Sequence, residues 1–337
     1  MKEARFYRKL DADVVDCFLC AQRCRIKPGK LGKCAVRQNE EGTLFSLVYE
    51  QVIAQHVDPI EKKPLFHFHP GSRSYSIATA GCNFRCLFCQ NADISQLPRE
   101  HHAIPGRRVP AEDVVREAKE SGCATISYTY TEPTIFMEYA LDIAEKAHRE
   151  GIGSVFVSNG YMTAEALEIL APQLDAANVD LKAFSDEFYS EQCGAHLQPV
   201  LDTLQRMKHY GIWVEVTTLL IPGLNDDPGE LRKLAQFLVD LGPETPWHVS
   251  RFHPTYRLLD RRPTPVETLQ MARRIGLEAG LRYVYTGNIP GDEGERTFCH
   301  ACGELLIERH GFSTRIRGVK GGACTQCGAP MAGVRIP

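Results

Sequence analysis

No uninterrupted apolar stretch in the 337 residues approaches the ~18 needed to cross a bilayer. The opening residues, Met1-Lys-Glu-Ala-Arg-Phe-Tyr7, lack the apolar core of a signal peptide. The expectation is a cytoplasmic protein without a membrane partner. A Lys/Arg-rich block is also missing: 39 basic and 42 acidic residues leave a net charge of −3, which argues against a general nucleic-acid or anionic-lipid binder. Neither a Gly-x-Gly-x-x-Gly turn nor a phosphate-binding loop occurs, so a doubly wound nucleotide-binding sheet loses its usual sequence support. Disorder finds no support either, since 43% hydrophobic content supplies a sizeable core.

What the chain has in excess is cysteine, thirteen in all. Eleven fall into three tight arrays, a usage that in a cytosolic protein points to metal or iron–sulfur binding rather than disulfides. Cys123 and Cys193 stand apart and read as core thiols. The first array is Cys17-x2-Cys20-x3-Cys24-x9-Cys34, with Pro28-Gly29 and Gly32 turning the chain between the last two. Four thiolates close a tetrahedral site, structural or electron-relaying, which zinc or an auxiliary [4Fe-4S] cluster would fit. The last array pairs Cys299-x2-Cys302-Gly303 with Cys324-x2-Cys327-Gly328, the pattern of a zinc ribbon or rubredoxin-like knuckle, with zinc as first choice and iron as alternative. His67 and His69 are given no metal.

The middle array differs. Within Gly81 to Asn91, Cys82, Cys86 and Cys89 form Cys-x3-Cys-x2-Cys with no fourth cysteine nearby. Three thiolates can hold a four-iron cluster by three corners and leave one iron open.

From Ser74 the hydrophobic pattern alternates between short β-type runs and helical stripes. Strands are expected at 74–80, 124–130, 154–157, 176–181, 213–221 and 247–252, with a short last one at 283–285. Helices fall between them, the last opened by the capping box Thr264-Pro-Val-Glu267. Six βα units with right-handed crossovers predict an α/β fold, a partial (β/α)6 TIM-type barrel short of the eight units of a closed one, with a doubly wound sheet as the competitor. The expected organisation is an N-terminal four-cysteine module over 1–50, a lead-in linker over 51–73, the barrel over 74–290 and a C-terminal four-cysteine module over 291–337.

Chemistry in parallel barrels collects at the C-terminal strand ends. Those ends carry Cys82, Glu132, Ser158 with Asn159, Asp180 with Lys182, Thr217 with Thr218, and His253. Such a rim suits a zwitterionic, ribose-bearing cofactor: carboxylates for an ammonium and hydroxyls, Lys or Asn for a carboxylate.

The cysteine loop, with Phe88 as the aromatic before its last cysteine and Thr79, Gly81, Asn83, Phe84, Gln90 and Asn91 around it, resembles the signature loop of the radical S-adenosylmethionine (SAM) enzymes. The resemblance implies a [4Fe-4S] cluster whose open iron chelates the amino and carboxylate groups of SAM. Reductive cleavage then gives methionine and a 5′-deoxyadenosyl radical that abstracts hydrogen from a substrate. Residues 75 to 288 are similar to the branch containing the pyruvate formate-lyase activating enzyme, through Tyr130-Thr-Glu-Pro-Thr134, Ser158-Asn-Gly-Tyr161, Asp180-Leu-Lys182, Ile221-Pro-Gly-Leu-Asn225 and Phe252-His-Pro254. By that resemblance Glu132 would meet the SAM ammonium, although the usual Gly-Gly-Glu is Tyr-Thr-Glu here. Asp180, Lys182 and His253 would hold SAM or line the site, with Phe88, Asn159 and Thr218 as further cofactor contacts.

The whole layout, with four-cysteine modules at both ends, resembles the radical SAM member of the AmmeMemoRadiSam system. That implies a low-potential electron donor such as ferredoxin or flavodoxin, and AMMECR-like and Memo-like proteins as partners. Two alternatives stand beside it. One is a glycyl-radical activase acting on a partner's backbone, weakened because residues 92 to 109 hold no cysteine where such enzymes carry extra clusters. The other is a non-enzymatic cysteine-rich metal or electron-transfer adaptor.

Overall fold

The computed structural model describes residues 1–289 and 291–337. Its centre is set by short, almost fully buried strands separated by amphipathic helices. The strands are β1 (Arg73–Thr79), β2 (Thr125–Tyr128), β3 (Gly153–Ser158), β4 (Ala176–Asp180), β5 (Trp213–Leu220), β6 (Trp247–Arg251) and β7 (Val284–Gly287). Between them run α1 (Ala111–Glu120), α2 (Met137–Arg149), α3 (Ala164–Leu170), α4 (Gln198–His209), α5 (Pro228–Leu241) and α6 (Val266–Ala279). Each helix carries its own start signal. α1 follows Pro110 with Glu112 and Asp113 in its first turn and buries Val114, Val115 and Ala118. α5 is capped by Asp227, whose side chain accepts from the Glu230 amide at 2.9 Å.

The seven strands pair in parallel and in chain order, β1 next to β2 and so on to β7. An order without reversal has no switch point, which rules out the doubly wound alternative. Among the described residues β7 does not pair with β1, so the sheet stays open.

One expectation is corrected. The lead-in over 51–73 is no linker, because Gln51–Pro59 is a nine-residue strand lying antiparallel on β1, from Val52 opposite Thr79 to Pro59 opposite Arg73. Its burial alternates poorly and a bulge interrupts it between Val52 and Ala54, so no two-residue period announces it. Pro59 is tolerated because it stands at the strand's end.

After this strand, residues 60–69 fold under the N-terminal ends of the parallel strands. The hub is Glu215, fully buried near the start of β5. It accepts from the Phe66 and His67 amides at 3.0 and 2.7 Å, from Trp213 Nε1 at 3.1 Å, and faces His248 Nε2 at 2.7 Å. His67, fully buried, sits between the Tyr285 hydroxyl at 2.5 Å and the Ala332 carbonyl at 2.7 Å.

The C-terminal module is a three-stranded antiparallel sheet (Thr297–Phe298, Leu305–His310, Ser313–Ile316) with a short hairpin of Val319–Lys320 and Ala323–Cys324. It docks on this same lower end. The buried Arg309 guanidinium lies 4.2 Å from the centre of the Phe66 ring and donates to the Phe66 carbonyl at 2.8 Å. The N-terminal residues form two three-stranded antiparallel sheets at the opposite end. There the Ala21 amide bonds the Tyr161 carbonyl at 3.0 Å and Thr163 Oγ1 bonds the Phe18 carbonyl at 2.7 Å, just beyond β3.

Burial lowers His67 to about 4, against an ordinary value of 6.5. Between those values the unfolded chain binds a proton that the folded chain refuses, so the fold loses stability as pH falls from 6.5 towards 4, by up to about 1.4 kcal/mol per pH unit. Urea unfolding at pH 7.5 and pH 5 should show this loss, and His67→Gln should flatten it.

Candidate active site

β1 ends at Thr79 and the chain turns at Gly81, where φ is +101°. An added Cβ there would meet Val36 Cγ1 at 2.7 Å and the Cys34 carbonyl and Ile135 Cδ1 at 3.2 Å, so only glycine fits. The loop that follows is pinned by side chains from outside it. Arg99 donates to the Cys82 carbonyl at 3.2 Å and the Phe84 carbonyl at 3.3 Å, and Gln96 to the Phe84 carbonyl at 3.2 Å. On the other side the Arg85 and Leu87 amides bond the carbonyls of Cys193 and Gln192, both at 2.9 Å. The Arg257 amide reaches the Leu87 carbonyl at 3.0 Å, which lays residues 255–258 against the loop.

Two of the three sulfurs have polar partners close by: the Phe84 amide points at Cys82 Sγ at 3.4 Å and the Ser95 hydroxyl lies 3.2 Å from Cys89 Sγ. The buried Cys193 thiol pulls Cys86 down, whereas burial pushes Cys82 well up and raises Cys89. Among the described residues only Cys299, Cys302, Cys324 and Cys327 gather within 4.8 Å of one another, so the loop's three thiols are spread beyond the span of a single ion. Three separated thiolates form a donor set that fits three corners of an iron–sulfur cluster.

Around this loop the rim residues divide. Lys182 Nζ pairs with Asp180 Oδ2 at 2.9 Å and stands 5.9 Å from the centre of the Phe88 ring. Burial opposes the charge on Lys182, but Asp180 and the Cys86 sulfur outweigh it and raise the group well above the ordinary lysine value. Asn159 Nδ2 donates to Asn83 Oδ1 at 2.7 Å and comes within 4.0 Å of Cys82 Sγ. Phe88 is buried against Phe188, their ring centres 5.8 Å apart, and His253 is exposed.

Two residues fall outside the expected pattern. Glu132 is buried and caps the turn at Pro133–Phe136, accepting from the Thr134 amide (3.0 Å) and hydroxyl (2.5 Å), Ser158 Oγ (2.8 Å) and the Asn159 amide (2.8 Å). The structure thus places it as a cap that positions Asn159 rather than as a free carboxylate on the rim. Thr218 is 1% exposed, donating to the Leu181 carbonyl at 2.8 Å and accepting from Trp247 Nε1 at 2.9 Å, so its proton and one of its two lone pairs are taken up within the protein. A strand-end threonine looks polar in sequence, but its side chain here points between strands.

Two contributors had no clear local signal: Cys193 and Arg99. Cys193 ends a π-helical turn, Tyr189–Cys193, closed by Gly194 at φ +68°. The glycine after it was the one available hint.

At the far end of the molecule the other quartet is compact: Cys299 and Cys327 sulfurs lie 3.6 Å apart, Cys302 and Cys324 3.7 Å. Zinc–sulfur bonds of about 2.3 Å in a tetrahedron demand sulfurs about 3.8 Å apart. A cleft lined by Arg273, Glu278, Thr286 and Asp292 runs along α6 and β7, with no residue of the cysteine loop in its lining.

The radical SAM superfamily model matches residues 76–238. An uncharacterized protein of Methanocaldococcus jannaschii is 49% identical over 317 residues, 94% of each chain. The pyruvate formate-lyase-activating enzyme of Clostridium pasteurianum is 24% identical over 226 residues, covering 63% of this chain and 91% of that one. The crystal structure of a radical SAM methyltransferase from Sphaerobacter thermophilus shares the fold at a TM-score of 0.52, with 20% identity over 71% of each chain. The chain belongs to the radical SAM superfamily. Membership implies SAM and a [4Fe-4S] cluster as the working cofactors.

Gly81→Ala tests the tightest contact at this site. Overpacking against Val36 together with the left-handed backbone should cost about 2–3 kcal/mol. Chemical denaturation should report the loss, while alanine at Gly151, which has nothing within 4 Å, should cost less.

Proposed function

We propose that the chain binds SAM at a [4Fe-4S] cluster held by Cys82, Cys86 and Cys89, on one rim of a partial (β/α)6 TIM-type barrel, and acts as an oxidoreductase on a substrate brought to that rim. The carrying observation is the loop itself: three thiols spread beyond the span of a single ion, with no fourth cysteine in the loop. A cluster held by these three cysteines would supply one-electron reduction of the SAM sulfonium, the source of methionine and of a 5′-deoxyadenosyl radical able to remove a hydrogen atom from substrate.

The chain's own residues orient and insulate. Lys182 presents a fixed cation suited to the SAM carboxylate, and the half-buried Asp180 beside it an acceptor for the ammonium or a ribose hydroxyl. Asn159, held through its backbone by Glu132, directs its amide toward the Cys82 side of the loop. His253, exposed beside residues 255–258, stands where substrate would approach. Phe88 and Phe188 form an apolar wall that keeps water from the cysteines. The electron donor is proposed to be a ferredoxin or flavodoxin, and AMMECR-like and Memo-like proteins the partners that supply or accept substrate.

Likeness to the activating enzyme over 91% of its length favours a second reading, in which the hydrogen comes from a glycine backbone in a partner protein. A glycyl doublet in the EPR spectrum of a co-purifying protein would support it.

Anaerobic incubation with SAM and dithionite should yield 5′-deoxyadenosine, falling to background in Cys82→Ala, Cys86→Ala and Cys89→Ala. Turnover by a chain lacking all three would overturn the assignment. Lys182→Met should weaken SAM binding about 10- to 100-fold by calorimetry, the loss of one hydrogen bond to a charged group.

At the C-terminal quartet we propose zinc. Elemental analysis should find about one zinc per chain. Cys302→Ser with Cys327→Ser should remove it without changing iron content.

A further inference from the structure

The N-terminal cysteines are arranged differently from the C-terminal ones. Cys17, Cys20, Cys24 and Cys34 line one small cavity together with Arg37 and Ile135. No three of them bring their sulfurs within 4.8 Å of one another, the condition the C-terminal quartet meets. A single zinc ion needs sulfurs about 3.8 Å apart, whereas a cubane of four irons and four sulfides holds its ligands farther out.

The cavity also contains a built-in positive group. Arg37 is 1% exposed and forms a buried ion pair with Glu138, yet its Nη1 has no hydrogen-bond partner. A buried guanidinium N–H left unpaired is costly, and a cluster sulfur in the cavity it lines would satisfy it. The Lys33 amide already points at Cys24 Sγ at 3.4 Å, the same kind of donor that serves Cys82.

This cavity adjoins the radical SAM loop. A Cβ built on Gly81 would lie 3.2 Å from both the Cys34 carbonyl and Ile135, so one glycine backbone separates the two arrays. Arg99 ties them together, donating to the Lys33 carbonyl at 2.6 Å and the Cys82 carbonyl at 3.2 Å. Gln22 does the same from the other side, reaching the Asn83 carbonyl at 3.1 Å.

The outer face is basic. Arg23, Arg25, Lys27, Lys30 and Lys33 are all exposed, and no acidic residue occurs between Asp16 and Glu40. Such a patch attracts an acidic partner and speeds its docking.

We infer that Cys17, Cys20, Cys24 and Cys34 hold a second [4Fe-4S] cluster that relays single electrons from an acidic low-potential donor protein to the cluster at Cys82, Cys86 and Cys89. The relay rests on the function proposed above; the presence of the second cluster does not. The donor loses one electron, the N-terminal cluster is reduced and then reoxidised by passing that electron on, and no bond or proton of the chain changes.

The deciding measurement uses the full chain with Cys82, Cys86 and Cys89 all replaced by alanine, reconstituted anaerobically. The N-terminal ligands are untouched, so about four irons and four sulfides should remain, with a reduced-cluster EPR signal, against about eight irons in the unaltered chain. A variant with no iron and two zincs overturns the inference. Four irons in both proteins would instead sink the cluster proposed at the loop and leave this one standing. For the relay, Lys27→Glu with Lys30→Glu should slow reduction by flavodoxin about tenfold at low salt while leaving reduction by dithionite unchanged. Equal flavodoxin rates in both proteins would overturn the relay.

Discussion

Position 81 has no room for a side chain, and much of the upper half of the molecule follows from that. The left-handed turn there swings the chain out of β1 into the cysteine loop. The missing Cβ lets the backbone of Cys34 to Val36 lie directly on the turn. Arg99 then uses the proximity, drawing carbonyls of both segments onto one guanidinium. A loop of three cysteines needs a rigid frame to present them at fixed separations. Here the frame comes from the parallel sheet on one side and the N-terminal residues on the other.

The lower half depends on a different device. Glu215 gathers two backbone amides, an indole and an imidazole onto one carboxylate, which plugs the N-terminal strand ends with residues 60–69 and gives the C-terminal module a floor through Phe66 and Arg309. Removing a partner from so deep a network would leave a buried charge or polar group uncompensated, which is costly. The two cysteine quartets are therefore segregated. One stands against the reactive rim, the other at the opposite end, where its compact sulfurs suit a structural ion.

The parallel α/β core was legible because parallel strands buried on both faces leave apolar runs, and helices between them leave stripes and caps. Phe156, Val179 and Val249 sit where the runs place them. The cysteine loop was legible for another reason: ligand spacing is local, and three thiols within eight residues need no tertiary information. What stayed hidden was set by partners far along the chain. Gln51–Pro59 reads as a linker because its order comes from pairing with β1 rather than from its own pattern. Glu132 and Thr218 looked like free polar ends until Ser158, Asn159 and Trp247 proved to occupy them. Arg37 gave no hint at all, since Glu138 lies 101 positions away.

That long separation bears on how the protein is made. The Arg5 amide and the Arg37 guanidinium both close on Glu138, in the first turn of α2. Synthesis runs from the N-terminus, so the module carrying the first four cysteines cannot complete these contacts until α2 has left the ribosome, by which time the loop of Cys82 to Cys89 is already outside. Both cysteine arrays thus emerge while the wall between them is unfinished, so two sets of thiols are accessible on the ribosome before either is enclosed.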